Sequence, residues 1–138
     1  MRFWDSSAIV PLILAQPRSA EARAWLAEDG EIVVWWTTPV ECASAIARLH
    51  RDGHLTTSDE RVARELLVAL QRSWFEIQPG DGLRDQALRL LRLHPLRAAD
   101  ALQLAAAIEW AGSPPAGTLL TFNDRLQDAA AREGFTAG

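Results

Sequence analysis

The sequence has 138 residues, 49% of them hydrophobic and 23% charged, and a formal net charge of -4 at pH 7. This composition is that of an ordinary globular protein and excludes intrinsic disorder, while the negative charge argues against a broadly basic nucleic-acid-binding surface. The length predicts a single domain over residues 1–138 that can bury its own core without cross-links.

The cysteine and lysine content limits the cellular compartments and the types of catalytic site that this sequence fits. The single cysteine, Cys42, cannot form an internal disulfide and fits a reducing compartment. No stretch reaches the roughly 18 to 20 apolar residues of a transmembrane helix, and Asp5 interrupts the N-terminus before a signal peptide could form. We therefore expect a cytoplasmic protein. All 14 basic residues are arginine, which excludes P-loop and lysine Schiff-base sites.

Short apolar runs bounded by turn residues alternate with segments of helical periodicity. In chain order the predicted elements are strand 2–5, helices 8–15 and 18–28, strand 31–36, helices 37–52 and 57–72, strand 74–77, helices 83–93 and 96–110, strand 117–122, helix 124–132 and an edge strand at 135–136. Ser6 or Ser7 is expected to cap the first helix, and Thr57-Ser58-Asp59-Glu60 resembles a capping box. This alternation predicts an α/β sandwich with a mostly parallel sheet of four or five strands.

A few acidic residues lie where the predicted elements do not require acids. Asp5 ends a buried strand, Asp100 lies early in an alanine-rich helix, and Glu41 is in the first turn of the helix after the second strand. Asn123 and Asp124 directly follow the fourth strand. Helix capping alone could explain Glu41 and Asp124. Because parallel strands end at one edge of a sheet, we expect these side chains to converge there.

Such a cluster indicates a divalent cation. Carboxylates that lie within a few ångströms repel one another unless they are protonated or neutralised. Oxygen ligands suit Mg²⁺ or Mn²⁺, whereas Zn²⁺ would need more than one cysteine and three scattered histidines. A cation held by carboxylates, with positions left for water and phosphate oxygens, is typical of phosphoryl chemistry.

Other folds with acids at strand ends fit the sequence poorly. A response-regulator receiver needs a paired acid after the first strand and a late lysine, but this chain has Ser6 and no lysine. A haloacid-dehalogenase-like phosphatase needs a second aspartate where Ser7 stands. A Rossmann nucleotide site needs a glycine-rich turn after the first strand.

Four motifs in order along nearly the whole chain surround the acidic positions. They are Asp5-Ser6-Ser7-Ala8-Ile9-Val10, Thr38-Pro39-Val40-Glu41, Arg97-Ala98-Ala99-Asp100-Ala101-Leu102-Gln103-Leu104-Ala105 and Leu120-Thr121-Phe122-Asn123. As an ordered set they resemble PIN-domain ribonucleases, and among them the VapC-type toxins of bacterial toxin–antitoxin pairs. The resemblance implies a three-layer α/β/α fold and an Mg²⁺- or Mn²⁺-dependent endonuclease acting on RNA. It also implies that Asp5, Glu41 and Asp100 form the acidic metal site.

The fourth site position departs from the family pattern. The family usually has an acid two residues after Thr121, where this chain has Asn123, with Asp124 one step later. Asparagine can ligate through its carbonyl oxygen but brings no charge. We expect Asn123 at the metal and Asp124 as an outer or capping group, and the reverse remains open. The substitution also leaves room for an alternative function, a catalytically weak or inactive PIN-like binding module.

The resemblance further implies a homodimer and a cognate antitoxin that covers the acidic site. Candidate phosphate-binding residues near the expected site are Arg48, Arg51, Arg97 and Arg125. Several tryptophans could form an adhesive surface, that is, an apolar surface for binding another protein, although core packing is expected for at least half of them. These are Trp25, Trp35, Trp36, Trp74 and Trp110.

Overall fold

The computed structural model describes residues 1–138, with five strands and seven helices. The strands are β1 (Arg2–Trp4), β2 (Ile32–Trp35), β3 (Phe75–Ile77), β4 (Thr118–Leu120) and β5 (Thr136–Ala137). The helices are α1 (Ser6–Ile13), α2 (Ser19–Glu28), α3 (Thr38–Arg51), α4 (Thr57–Gln71), α5 (Asp81–Leu93), α6 (Ala98–Ala111) and α7 (Asp124–Glu133). Every predicted element is present.

The five strands form one sheet in the order β3-β2-β1-β4-β5, and every neighbouring pair is parallel. Side chains of successive strand residues point to opposite faces, so each strand contributes to two cores. Phe3 and Val33 belong to a core shared with α5, α6 and α7, whereas Trp4 and Val34 belong to one shared with α1 to α4. The fold is therefore the predicted three-layer α/β/α sandwich.

The strand order places a topological switch beside β1. The chain builds outward from β1 to β2 and β3 and then returns to the other side of β1 to add β4. The helix after β1 packs on one face of the sheet, and the helix after β4 packs on the other. A crevice opens where such connections diverge, beyond the carboxyl ends of the strands. The chain leaves β1 at Asp5 and β4 at Thr121, on the two sides of this crevice.

Two expected helix caps are corrected. The N-cap of α1 is Asp5, whose carboxylate accepts from the backbone N–H of Ser7, rather than Ser6 or Ser7. The capping box of α4 starts one residue earlier than expected, at Thr56, which pairs with Asp59. In both cases the residue that starts the helix has extended backbone angles and a side-chain oxygen that reaches a free N–H group.

The apolar residues divide between core and surface. Three of the five tryptophans considered as an adhesive surface are buried, namely Trp25, Trp35 and Trp74. Trp36, which follows β2, is half exposed. No helix is long and apolar enough to cross a membrane.

Candidate functional site

Asp5 stands at the end of the central strand and is 4% exposed. Its backbone N–H donates to the carbonyl of Leu120 at 3.0 Å, which extends the β1–β4 pairing by one residue. Its Oδ2 accepts from Ser7 N at 3.2 Å, Ser7 Oγ at 2.6 Å and Thr121 Oγ1 at 2.9 Å. Its Oδ1 has only a long contact of 3.5 Å with Ser6 Oγ. One oxygen is thus saturated by the protein, and the other is left available.

The two hydroxyl groups that hold Asp5 are themselves fixed by the backbone. Ser7 Oγ accepts from Phe122 N at 2.9 Å, and Thr121 Oγ1 accepts from Asn123 N at 3.0 Å. Each hydroxyl has a single proton, which it gives to Asp5. The 3.1 Å approach between the two hydroxyl oxygens therefore shares no proton. The arrangement ties the end of β1 to the loop after β4 and fixes the orientation of the carboxylate.

Glu41 is half-buried in the first turn of α3. Its Oε2 accepts from Thr37 Oγ1 at 3.1 Å and from Gln103 Nε2 at 2.7 Å. Gln103 is fully buried, also donates to Thr38 Oγ1 at 3.2 Å, and has no partner for its Oε1. It lies one turn after Asp100 on α6 and connects that helix to α3. Sequence reasoning gave Gln103 no role, although an amide between two leucines of an apolar helix was a visible signal.

Asp100 and Asn123 form the third part of the site. Asn123 is the N-cap of α7, where its Oδ1 accepts from the backbone N–H groups of Arg125 and Leu126 at 3.1 and 3.3 Å. Since these donors require an oxygen, the amide nitrogen must point the other way, and it donates to Asp100 Oδ1 at 3.2 Å. Asn123 is therefore placed as a donor to an acid of the site, with its carbonyl oxygen engaged in capping.

Asp124 occupies the first position of α7 and is exposed. The capping role considered for it belongs to Asn123. Its charge acts on Arg18, whose pKa is raised first by a hydrogen bond to Glu21 and to a smaller extent by Asp124. Asp124 is not among the groups that raise the pKa of Asp5 or Glu41.

The three acids lie close enough to perturb one another. Burial raises the pKa of Asp5, and the charge of Asp100 adds to the rise, while the hydrogen bonds from Ser7 and Thr121 oppose it. Burial also raises the pKa of Glu41, followed by the charges of Asp5 and then Asp100. The structure thus brings Asp5, Glu41 and Asp100, contributed by three separate elements, into one electrostatic neighbourhood.

The donor chemistry of this neighbourhood fits a hard divalent cation. Each carboxylate has one oxygen bonded to the protein and a second, Asp5 Oδ1, Glu41 Oε1 or Asp100 Oδ2, without a close donor. Every donor to the acids is a neutral group, and no arginine pairs with them. As placed, no three His, Cys, Asp or Glu side chains are close enough to hold an ion together. Oxygen ligands whose charge the protein leaves uncompensated are those that Mg²⁺ and Mn²⁺ prefer.

The four candidate phosphate-binding arginines make no ion pairs. Arg97 is the N-cap residue of α6, and Arg125 lies in the first turn of α7. Arg48 lines a cavity that also contains Glu41, whereas Arg51 does not line it. All four are exposed and available to an external ligand.

Comparisons with known proteins agree with this fold. The model of the PIN domain family matches residues 2–132. The chain is similar to the crystal structure of FitAcB from Neisseria gonorrhoeae, with 17% identity, a TM-score of 0.68, and coverage of 99% of this chain and 96% of that chain. It is also similar to FitAB bound to an IR36 DNA fragment, with 15% identity, a TM-score of 0.69, and coverage of 100% and 94%. None of the curated proteins compared is a match.

Proposed function

Because the chain belongs to the PIN domain family, we propose that it is a Mg²⁺- or Mn²⁺-dependent endoribonuclease and the toxin of a type II toxin–antitoxin pair. The observation that supports the proposal is the common electrostatic neighbourhood of Asp5, Glu41 and Asp100 beyond the strand ends, where each has one oxygen without a close donor. On this proposal one nuclease domain spans residues 1–138. The protein acts in the cytoplasm as a homodimer and is inhibited by a cognate antitoxin.

In the proposed reaction, Asp5, Glu41 and Asp100 would hold the cation. When bound, the cation would lower the pKa of a water molecule and offset the charge that develops on the phosphate. Asn123 contributes by orienting Asp100 through its amide nitrogen. A water attacks the phosphorus in line and one of the carboxylates accepts its proton. The bond to the 3′ oxygen breaks, and this oxygen takes a proton from the solvent. The products are a 5′-phosphate and a 3′-hydroxyl.

The neighbouring side chains support this role by orientation. Ser7 and Thr121 fix one oxygen of Asp5, so that the other points away from the strand ends. Gln103 does the same for Glu41 from the opposite helix. A preorganised set of ligands loses little free energy when the substrate arrives, which is the general advantage of a rigid active site.

Cleavage of RNA by the purified protein tests the proposal. We expect cleavage with Mn²⁺ or Mg²⁺, its loss with EDTA and its loss in Asp5→Asn, which keeps the hydrogen-bond acceptor but removes the charge. Asp81→Asn is the matched control, because the side chain of Asp81 is 92% exposed. Calorimetric titration with Mn²⁺ completes the test, since Asp100→Ala should bind the ion much more weakly than the wild type.

The alternative is a PIN-like module that binds partners without cleaving RNA. The observation in its favour is Asn123, which replaces an expected acid and is engaged in capping. Unchanged cleavage in Asp5→Asn, or unchanged Mn²⁺ affinity in Asp100→Ala, would contradict the nuclease assignment. Metal binding without cleavage of any RNA would favour the module.

A further inference from the structure

A groove of mixed polarity runs from the acidic site along the surface between α1 and α3. It has a volume of about 350 Å³. Glu41 and Ser6 line the end next to the acids, and Gln16, Ser44 and Arg48 are the polar residues of the remainder. The other lining residues are Ser7 and the apolar Val10, Ala45 and Leu49. The groove and the candidate active site therefore share Glu41 and form one continuous surface.

The polar side chains beyond the acidic end of this groove form no hydrogen bonds or ion pairs within the protein. Gln16 uses only its backbone atoms in hydrogen bonds, to Ser19. The hydroxyl of Ser44 and the guanidinium of Arg48 make no hydrogen bond or ion pair. Three neighbouring donors without acceptors, one of them a cation, are suited to an anionic ligand.

The placement of Arg48 on α3 sets its distance from the acids. Arg48 follows Ser44 by four residues, so the two side chains share one face of the helix. It follows Glu41 by seven residues, about 10.5 Å along the axis at a rise of 1.5 Å per residue. Arg48 therefore lies further along the groove than Glu41, where it can contact a phosphate next to the one at the acids.

We infer that this groove binds a phosphate of the RNA strand next to the scissile one, held by Arg48 with support from Ser44 and Gln16. The inference rests on the proposed function. It also gives the RNA a path, which leads from Glu41 along α3 towards Arg48. Arg48 is then a substrate-positioning residue, and its guanidinium can engage two phosphate oxygens at once. Arg97 and Arg125 lie on the other side of the acids, at the starts of α6 and α7.

The test compares Arg48→Gln, Arg48→Lys and the control Arg92→Gln. Arg92 is exposed on α5, which packs on the other face of the sheet, and it makes no ion pair. Steady-state cleavage of short single-stranded RNA of randomised sequence, with Mn²⁺, gives kcat and KM. We expect Arg48→Gln to raise KM roughly tenfold with little change in kcat, as for a lost charge-assisted contact. Arg48→Lys should restore part of the affinity, and Arg92→Gln should match the wild type.

Salt dependence supplies a second measurement. Losing one phosphate contact to a single strand should reduce the slope of log KM against log salt concentration by about 0.7. A merely structural role for Arg48 would leave this slope unchanged. An unchanged KM and slope in Arg48→Gln would overturn the inference, and so would a fall in kcat alone, which would place Arg48 at the reacting phosphate.

The remaining outcomes separate this inference from the proposed function. If the wild type cleaves RNA and Arg48→Gln behaves as the control does, the groove assignment fails while the nuclease assignment stands. If the wild type cleaves no RNA with Mn²⁺, both fail. Poly-aspartate added as a competitor tests for a peptide ligand. If it competes as well as RNA of equal charge, and loses that ability in Arg48→Gln, the groove is a site for acidic protein segments and the inference is wrong.

Discussion

Replacing Asn123 by aspartate restores the acid that the family usually has at this position, and the structure predicts opposite effects with and without metal. Aspartate caps a helix as well as asparagine does, so the start of α7 should remain intact. The amide nitrogen that donates to Asp100 Oδ1 at 3.2 Å would become a carboxylate oxygen. Asn123→Asp therefore exchanges an attraction for a repulsion at one contact.

The size of the effect follows from that distance. Two unit charges 3.2 Å apart repel by about 5 kcal/mol at an effective dielectric constant of 20 and by about 1 kcal/mol in water. Asp100 and Asn123 are both half-buried, which places the repulsion between these limits. Binding a proton limits the cost to about 4 kcal/mol at pH 7, because an aspartate has an ordinary pKa near 4. We expect the free energy of unfolding without metal to fall by about 2 kcal/mol.

The pH dependence of this loss has a defined sign. Repulsion raises the folded-state pKa of the carboxyl pair above its unfolded value, so the penalty is present at neutral pH and fades as the pH falls through the raised pKa. At about pH 4 a shared proton would let one carboxyl donate to the other. The difference between the variant and the wild type should then be small.

Added Mn²⁺ should reverse the order of stability. An ion at 100 times its Kd stabilises a protein by about 2.7 kcal/mol. To offset the loss of about 2 kcal/mol, Mn²⁺ must bind the variant about thirtyfold more tightly than the wild type, and we expect the added charged ligand to exceed this. Urea unfolding with EDTA and with Mn²⁺, together with calorimetry, measures both effects. Asp124→Asn serves as the control and should change neither, because Asp124 is exposed and outside the cluster. The reasoning is refuted if Asn123→Asp leaves both the metal-free stability and the Mn²⁺ affinity unchanged.

Two further changes test the hydrogen bonds. Thr121→Val removes a hydroxyl that donates to the buried Asp5. It should cost about 2 kcal/mol of unfolding free energy and weaken Mn²⁺ binding, whereas an equal loss in Thr121→Ser would contradict this role. Glu133→Gln weakens the contacts of Glu133 with His94 and Arg89. Burial raises the pKa of Glu133, but the hydrogen bonds from Arg89 and His94 outweigh it and lower the pKa. The variant should therefore lose about 1 kcal/mol at neutral pH, a difference that disappears as the pH falls through the folded-state pKa.

The fold could be predicted because its signals are local. The central strands are short apolar runs buried on both sides, as Ile32–Trp35 is, and the alternation of strands with helices leaves few arrangements besides a parallel sheet. The predictions that were wrong concern the N-caps of two helices, α1 and α4. Asp5 was assigned to the first strand, but the same carboxylate also caps α1. A residue with two roles gives a sequence pattern that either role alone explains.

The site could be predicted only in part. The positions of Asp5 and Asp100 were conspicuous because neither strand nor helix requires an acid there. The orienting groups were not, since Ser7, Thr121 and Gln103 act over sequence separations of up to 116 residues. A serine that follows a strand is as typical of a helix N-cap as of a hydrogen-bond donor that orients a neighbouring carboxylate. Which donor contacts which carboxylate depends on how α3 and α6, which pack on opposite faces of the sheet, approach each other. Sequence periodicity does not specify that geometry.

One half-buried acid outside the site differs from the acids within it in its partners and in the direction of its pKa shift. Glu133 is paired with Arg89 and His94, and these hydrogen bonds lower its pKa despite burial. Asp5 and Glu41 have only neutral donors, and their pKa values are raised. The protein therefore pairs Glu133 with a cation of its own, Arg89. It places no such cation beside the acids at the switch point of the sheet. An arrangement that destabilises the metal-free protein is explained if a cation from solution supplies the missing charge.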